Sequence, residues 1–166
     1  MQPPFDKLKG VKKTIVGYTG GHQKNPTYQE VCSGATGHTE AIEVDFNPAE
    51  VNYSELLDVF WRNIDPTTSN QQFADFGTQY RTGIFYHNEE QRQLAQASKE
   101  KLETSGIFKK KIVTEITPAS IFYPAEEYHQ EYYKKDSFHY KNYSYGSGRE
   151  GFIQRTWCPI KKIISS

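Results

Sequence analysis

Segments with the pattern of β-strands and segments with the pattern of helices follow one another along this chain, and their order limits the folds open to it. Runs of β-branched or alternating apolar residues predict strands at residues 11–21, 39–48, 81–88 and 111–119. Apolar spacing and end signals predict helices at residues 51–65, 88–106 and 122–136. Because the two kinds of segment alternate only imperfectly, we expect an α+β fold, a two-layer sandwich in which helices pack against a mixed sheet.

The ends of these three helices carry residues that favour helix starts and stops. Either Asn52 or Ser54 can cap the first helix with its side-chain oxygen. The second helix begins with acidic residues and ends before Gly106, as the helix dipole and C-cap preferences favour. Pro124 suits the first turn of the third helix, where the missing N–H group costs nothing, so we expect that helix to open there.

Two long segments, at residues 22–37 and 66–80, are polar and lack any periodicity. Ordered loops of that length inside a compact domain are usually functional. From residue 137 the chain is rich in aromatic residues and glycine, which predicts an irregular C-terminal tail with one short helix at 149–156. No linker or repeat divides the sequence, so we expect residues 1–166 to form a single domain.

The charge balance and the cysteine count argue against several classes of protein. Lys and Arg together number 20, as do Asp and Glu, so no overall field attracts nucleic acid or an anionic membrane. The chain has no apolar run long enough for a bilayer span, no apolar leader and only two cysteines, which predicts a cytoplasmic protein. The cysteines lack metal-binding spacing and no phosphate-binding motif is convincing, so we expect neither a metal nor a cofactor.

Aromatic and basic residues interleave between residues 128 and 149, as they do in proteins that bind single-stranded nucleic acids. The balanced overall charge favours a different interpretation, a packed aromatic lid with solvated lysines. No nucleic-acid partner is therefore expected. Affinity that collapses with added salt would support the nucleic-acid alternative.

The stretch YQEVCSGATGHTE, at residues 28–40, contains a cysteine followed by His38 and Glu40. Cys32 lacks an obvious base or helix start that would activate its thiol, so spacing favours a structural cysteine over a nucleophile. Glu40 shares a strand face with the apolar Ile42 and Val44, which would desolvate its carboxylate and raise its pKa, as suits a general acid. A misphased strand that leaves Glu40 simply exposed is the alternative.

Five segments carry long motifs in a defined order. They read GYTGGHQKNPTYQEVCSGATGHTEAIEV, ELLDVFWRNIDPT, DFGTQYRTGIFYHNEEQ, KIVTEI and FYPAEEYHQEYY. Together they strongly resemble the peptide methionine sulfoxide reductase A family, from about Pro4 through Trp157. The resemblance implies reduction of methionine S-sulfoxide, free or in oxidised proteins, back to methionine, which is a protein-repair activity of a peptide-methionine (S)-S-oxide reductase.

The resemblance also implies roles for particular residues. In the family, a thiolate attacks the sulfoxide sulfur and becomes a sulfenic acid, which a second thiol converts to a disulfide that thioredoxin reduces. Two tyrosines bind the sulfoxide oxygen and a glutamate protonates it, and these positions match Tyr28, Tyr80 and Glu40. Asp75 of the D-F-G-T-Q-Y motif would orient the substrate or a water molecule, and His129 of the Y-H-Q motif would also contact the substrate.

One departure from the family concerns the nucleophile. The family carries it in a G-C-F-W motif just before the segment that matches MQPPFDKL, after a first strand, and the 166 residues contain neither. We consider a misplaced start behind a selenocysteine codon, a truncated cysteine enzyme, and a product that has lost catalysis, and we expect one of the first two. As given, the chain should be inactive because Cys32 lies in the wrong place to substitute.

Cys158, near the C-terminus, is a candidate for the resolving thiol, although the glycine-rich approach of many relatives is missing and a cysteine without a role is the alternative. We expect a monomer that uses thioredoxin as reductant. A non-catalytic module that still binds methionine sulfoxide or peptides is the alternative function.

Overall fold

The computed structural model describes residues 1–164, with side chains through residue 158. Its helices are α1 (Gln2–Asp6), α2 (Tyr28–Cys32), α3 (Tyr53–Arg62), α4 (Glu89–Thr104), α5 (Tyr132–Lys135), α6 (Ser137–Gly146) and α7 (Arg149–Ile164). Its strands are β1 (Val11–Thr19), β2 (Thr39–Phe46), β3 (Gln71–Gln72), β4 (Asp75–Phe76), β5 (Gly83–Tyr86), β6 (Glu115–Pro118) and β7 (Tyr123–Pro124). Single 3-10 turns lie at Thr78–Tyr80 and Glu127–His129.

The described residues form an α+β fold, as predicted, with the strands in three small sheets rather than one mixed sheet. In the first sheet, β1 lies between β2 and β7 and pairs antiparallel with both. The short strands β3 and β4 form an antiparallel hairpin, and β5 pairs parallel with β6 through the crossover helix α4. Antiparallel and parallel pairing therefore both occur, but the described strands do not form one continuous ladder. Residues of β1, β2 and β5 border a cavity.

The helices α3 and α4 begin where their capping residues indicate. The Asn52 side chain accepts a hydrogen bond from the N–H group of Glu55, and the Glu55 carboxylate accepts one from the Asn52 N–H group, which completes a capping box. Asn88 caps α4 in the same way through the N–H group of Gln91. The choice between Asn52 and Ser54 as the first cap is therefore settled in favour of Asn52.

The helix predicted at residues 122–136 is wrong. Pro124 lies in β7, at the sheet edge, where its lack of an N–H group does not interrupt a ladder. Gly17 of β1 permits this pairing, because a β-carbon there would collide with the carbonyl group of Tyr123. Apart from the 3-10 turn at Glu127–His129, helical structure begins only at α5, after Glu131 adopts a left-handed backbone conformation with φ of 51°.

The prediction of an irregular tail from residue 137 is also wrong, because helices α6 and α7 occupy this segment, although the short helix expected at 149–156 corresponds to the first half of α7. Asp136 caps α6 by accepting a hydrogen bond from the N–H group of His139. Gly148, with φ of 82°, makes the turn into α7. Trp157 of α7 is only 8% exposed and packs in the main core, which ties the helix to the rest of the domain.

The main core lies between α3, α4 and β5, with α7 closing one side. Its buried members are Leu57, Trp61, Ile64, Ile84, Ala95, Leu102, Ile112 and Trp157. The indole N–H group of Trp61 donates to the Ser98 hydroxyl at 3.0 Å, so this buried polar group is satisfied. A second cluster joins α1 and α3 through Phe5, Val51 and Leu56. No helix among residues 1–164 is long and apolar enough to cross a membrane.

Candidate active site

The first polar loop contains the short helix α2, which places Tyr28 at the wall of a cavity. A capping box starts this helix: Thr27 and Glu30 exchange hydrogen bonds between side chain and backbone, with the Thr27 N–H group 2.8 Å from the Glu30 carboxylate. This T-x-x-E signal is readable in the sequence, but the prediction of a long ordered loop at 22–37 did not include the helix. Tyr28 is the first helical residue, so the cap fixes its backbone.

Glu126 holds the same end of α2 from a distant part of the chain. Its carboxylate accepts hydrogen bonds from the Tyr28 N–H group at 2.8 Å and from the Tyr18 hydroxyl at 2.9 Å. Burial opposes ionisation of this carboxyl, but these hydrogen bonds outweigh it and hold its pKa below the usual range. Glu126 therefore joins β1, α2 and the segment after β7 at one point.

Glu40 lies on β2, opposite Tyr18 of β1, and borders the cavity. Its side chain is exposed to the open cavity, while protein atoms around it reduce its hydration. This loss of hydration is the main cause that raises the pKa of Glu40 to about 7, and the negative charge of Asp75 adds to it, whereas the amino group of Met1 opposes it. At neutral pH a large share of Glu40 carboxyls therefore carry a proton.

The β3–β4 hairpin and the 3-10 turn after it bring two more residues to the cavity, Asp75 and Tyr80. Burial is the main cause that raises the pKa of Tyr80 to about 12, and the nearby carboxylates of Glu40 and Asp75 add to it. Tyr143 of α6 donates a hydrogen bond from its hydroxyl group to the Asp75 carboxylate. Tyr80 thus remains a neutral hydrogen-bond donor throughout the physiological pH range.

The structure brings five of the six residues singled out from the sequence to a single cavity of about 1260 Å³. They are Tyr28, Glu40, Asp75, Tyr80 and His129. The wall also includes apolar residues of β1, β2 and α3, so polar groups and apolar surface face the same space. Such a mixture is typical of sites for small polar molecules that carry an apolar group.

His129 stacks between two tyrosine rings, with centroids 4.3 Å from Tyr28 and 4.2 Å from Tyr128. Burial is the main cause that lowers the pKa of this imidazole, while the Glu126 carboxylate opposes the shift. His129 therefore favours its neutral form, and its buried Nε2 atom has no hydrogen-bond partner among the described residues.

Neither thiol belongs to the cavity wall as the structure describes it. Cys32 is half-buried at the end of α2, one turn after Tyr28. A hydrogen-bonding contact with this thiol is the largest cause that raises the pKa of Tyr28, followed by burial. Cys158 is exposed on α7, in a helix rather than in an irregular tail.

Sequence reasoning missed several residues around the cavity, notably Tyr18, Glu126, Tyr143 and Arg149. Glu126 stands within the motif FYPAEEYHQEYY, three residues before His129, so that motif contained a usable signal. Tyr143 and Arg149 lie in the aromatic and basic run that was interpreted as a lid. In the part of the chain that the structure describes, no group of three or more metal-binding side chains gathers at one point.

The cavity of this α+β fold thus holds an acid with a pKa near neutrality beside two phenol groups that can donate hydrogen bonds. Proteins with such a site form a class that can protonate a bound polar oxygen. Residues 1–160 match the family model of peptide methionine sulfoxide reductase. The chain belongs to this family, as its motifs indicated.

Individual relatives agree with this assignment. The chain is 57% identical over 157 residues to peptide methionine sulfoxide reductase MsrA of Listeria innocua, covering 95% of this chain and 89% of the relative. It is equally 57% identical to the Bacillus pumilus protein of the same name, over 95% and 88% of the two chains. Among solved structures, reduced Mxr1 from Saccharomyces cerevisiae has a TM-score of 0.76 at 36% identity, covering 81% of this chain and 78% of that one.

A second solved structure, methionine sulfoxide reductase A of Corynebacterium diphtheriae, has a TM-score of 0.70 at 37% identity. The match covers 80% of this chain and 68% of that one. Similarity in sequence and similarity in fold therefore lead to the same family.

Proposed function

We propose that this chain acts on methionine S-sulfoxide, free or within oxidised proteins, as the site of its reduction to methionine. The observation that carries the proposal is the convergence of Glu40, Tyr28 and Tyr80 on one cavity, with the pKa of Glu40 at about 7. Family membership supports the same substrate.

The chemistry of the reaction suits these groups. A sulfoxide oxygen leaves sulfur only if protons are supplied to it, so a neutral carboxylic acid is the appropriate donor. Glu40 is that acid in the proposal. Tyr28 and Tyr80, whose raised pKa values keep them neutral, donate hydrogen bonds to the same oxygen. Asp75 orients the substrate or a water molecule, and the free Nε2 atom of His129 offers it a polar contact.

In the proposed sequence of steps, a thiolate forms a bond to the sulfoxide sulfur while Glu40 delivers a proton to the oxygen. After a second proton is added, the sulfur–oxygen bond breaks and the oxygen leaves as water. Water then attacks the former thiolate sulfur, the sulfur–sulfur bond breaks, and methionine is released with a sulfenic acid left on the enzyme and one proton set free. A second thiol displaces water from the sulfenic acid and forms a disulfide. Thioredoxin supplies the two electrons that reduce this disulfide, and Cys158 is our candidate for the second thiol.

Since neither Cys32 nor Cys158 lies in the described cavity wall, we propose that residues 1–166 alone bind the sulfoxide without reducing it. Turnover then requires the thiol or selenol of the family's G-C-F-W motif, which is not found in these residues. A binding module without catalysis is the second candidate, and the same cavity supports it. We also propose a monomeric protein of the cytoplasm, and the small number of cysteines supports this location.

A thioredoxin-coupled assay tests the proposal by following NADPH oxidation with methionine S-sulfoxide. We expect no turnover from residues 1–166 and clear turnover once an N-terminal segment with the Gly-Cys-Phe-Trp motif is added. The matched control carries Gly-Ser-Phe-Trp and should remain inactive, as should the extended chain with the R epimer. Absence of turnover in the extended, folded chain, together with retained binding of the sulfoxide, would favour the binding module.

The proposed role of Cys158 as the second thiol can be tested separately in the extended chain. Cys158→Ser should abolish thioredoxin-dependent turnover while a single turnover still produces one equivalent of methionine. Unchanged steady-state turnover would remove Cys158 from the proposal and leave the rest intact.

A further inference from the structure

The β3–β4 hairpin that carries Asp75 contains a conformation that local sequence does not favour. Phe73, in the turn between the two strands, has a left-handed backbone with φ of 55°, and Asn70 before the hairpin has φ of 50°. Asparagine tolerates this region, but a bulky aromatic residue does so only where its surroundings hold it. The contacts of the Phe73 side chain therefore identify what stabilises the hairpin.

These contacts come from the C-terminal helices. The guanidinium group of Arg149 lies over the Phe73 ring, 4.6 Å from its centroid. The Phe152 ring, one turn further along α7, meets Phe73 edge to face with centroids 5.5 Å apart. Both contacts are favourable for an aromatic ring, one through cation–π attraction and the other through the ring quadrupoles.

The same helices reach two further points around the hairpin. Tyr143 of α6 donates a hydrogen bond to the Asp75 carboxylate. The Arg149 Nη1 atom donates at 2.8 Å to the carbonyl oxygen of Asn63, at the end of α3. Arg149 thus links the hairpin to a core helix, and its positive charge lies near the negative charge of Asp75.

We propose that α6 and α7 form a clasp on the β3–β4 hairpin, and that Tyr143 and Arg149 act as positioning residues that hold Asp75 in place for substrate binding. The second part rests on the proposed function. The clasp assigns a task to the aromatic and basic run near the C-terminus: Tyr143 and Arg149 act on the protein itself rather than on a nucleic acid.

Amide hydrogen exchange tests the clasp directly, without any ligand. We expect Tyr143→Phe and Arg149→Met to accelerate exchange in the hairpin about tenfold, including the Gly77 N–H group that donates to Asn70 at 2.9 Å. Exchange in β1 and β2 should not change. Tyr145→Phe is the matched control, because this residue lies on α6 but is 79% exposed. Hairpin exchange in both variants equal to that of the control would overturn the clasp.

A double-mutant cycle tests whether Tyr143 acts through Asp75. The probe is N-acetyl-methionine S-sulfoxide methyl ester, titrated calorimetrically into the 166-residue protein. Tyr143→Phe should weaken binding about fivefold in the parent, as expected for one lost hydrogen bond, and not at all in an Asp75→Ala background. Equal losses in both backgrounds, or no loss in the parent, would overturn the positioning role.

The two measurements also separate this inference from the proposed function. If the parent protein does not bind the probe, then the proposed substrate is wrong and the positioning role fails with it. The exchange rates of the hairpin still decide whether the clasp exists.

Discussion

The segment from Tyr28 to Glu40 and the helix pair α6–α7 both border the same cavity, but different kinds of information in the sequence place them there. Tyr28 is fixed by a capping box within its own loop, and Glu40 by a strand that pairs with β1 along its whole length. Tyr143 reaches Asp75 across 68 residues, and Arg149 reaches Asn63 across 86. Residues placed by local signals can be read from a sequence, whereas residues placed by distant contacts require the folded chain.

Because distant contacts place the C-terminal helices, we expect these helices to contribute to the stability of the whole fold. Trp157→Ala tests this expectation and has the largest expected effect on stability. The variant removes a core side chain that is 8% exposed, so we expect the free energy of unfolding to fall by about 3 kcal/mol. Urea denaturation measures the loss. Gln154→Ala, on an exposed position of the same helix, should change it little. A loss for Trp157→Ala no larger than that of the control would mean that α7 is only loosely attached.

Glu40→Gln tests the segment from Tyr28 to Glu40, which local signals place at the cavity. In the chain extended with the nucleophile motif, we expect kcat to fall about a hundredfold, because an amide cannot supply the proton. The parent rate should decline as pH rises above 7, since a carboxyl with a pKa of about 7 then loses its proton. The variant should lack this limb of the pH profile. Asp45→Asn, an exposed acid on the same strand, is the control and should retain both rate and profile.

Glu126→Ala removes the contact between α2, which a local capping box starts, and a distant segment of the chain. The variant loses hydrogen bonds to the Tyr28 N–H group and the Tyr18 hydroxyl, so we expect about 2 kcal/mol lower stability together with weaker sulfoxide binding. Glu126→Gln keeps one oxygen acceptor and should recover part of both losses. If alanine and glutamine behave alike, the two hydrogen bonds are not what positions α2.

Thr27→Ala has the smallest expected effect of the four. It removes the N-cap of α2, which costs about 1 kcal/mol in typical helices. Thr27→Ser keeps the hydroxyl group and should preserve stability in thermal unfolding. A larger loss than that of Glu126→Ala would contradict the view that the distant carboxylate contributes more than the local cap.

The sequence allowed prediction of those elements whose signals are local. Asn52 caps α3, as one of the two expected alternatives, and α4 begins with acidic residues as predicted, while the alternation around Glu40 indicated a carboxyl on a partly apolar face. The helix expected at Pro124 was wrong because pairing of β7 with Gly17 decides the conformation there. Helix α6 was missed and α7 was predicted only over residues 149–156, because the burial of Trp157, rather than apolar periodicity, ties this segment to the core.

The hydrogen bonds that tie the two ends of the chain together also bear on when the cavity can form during synthesis. Gln2 accepts a hydrogen bond from the N–H group of Glu131, and Val16 pairs with the Gln130 side chain across 114 residues. Contacts of such long range are formed late in folding, since the intervening chain must first be closed. A nascent chain leaving the ribosome therefore has no complete cavity until residues 130 and 131 have emerged.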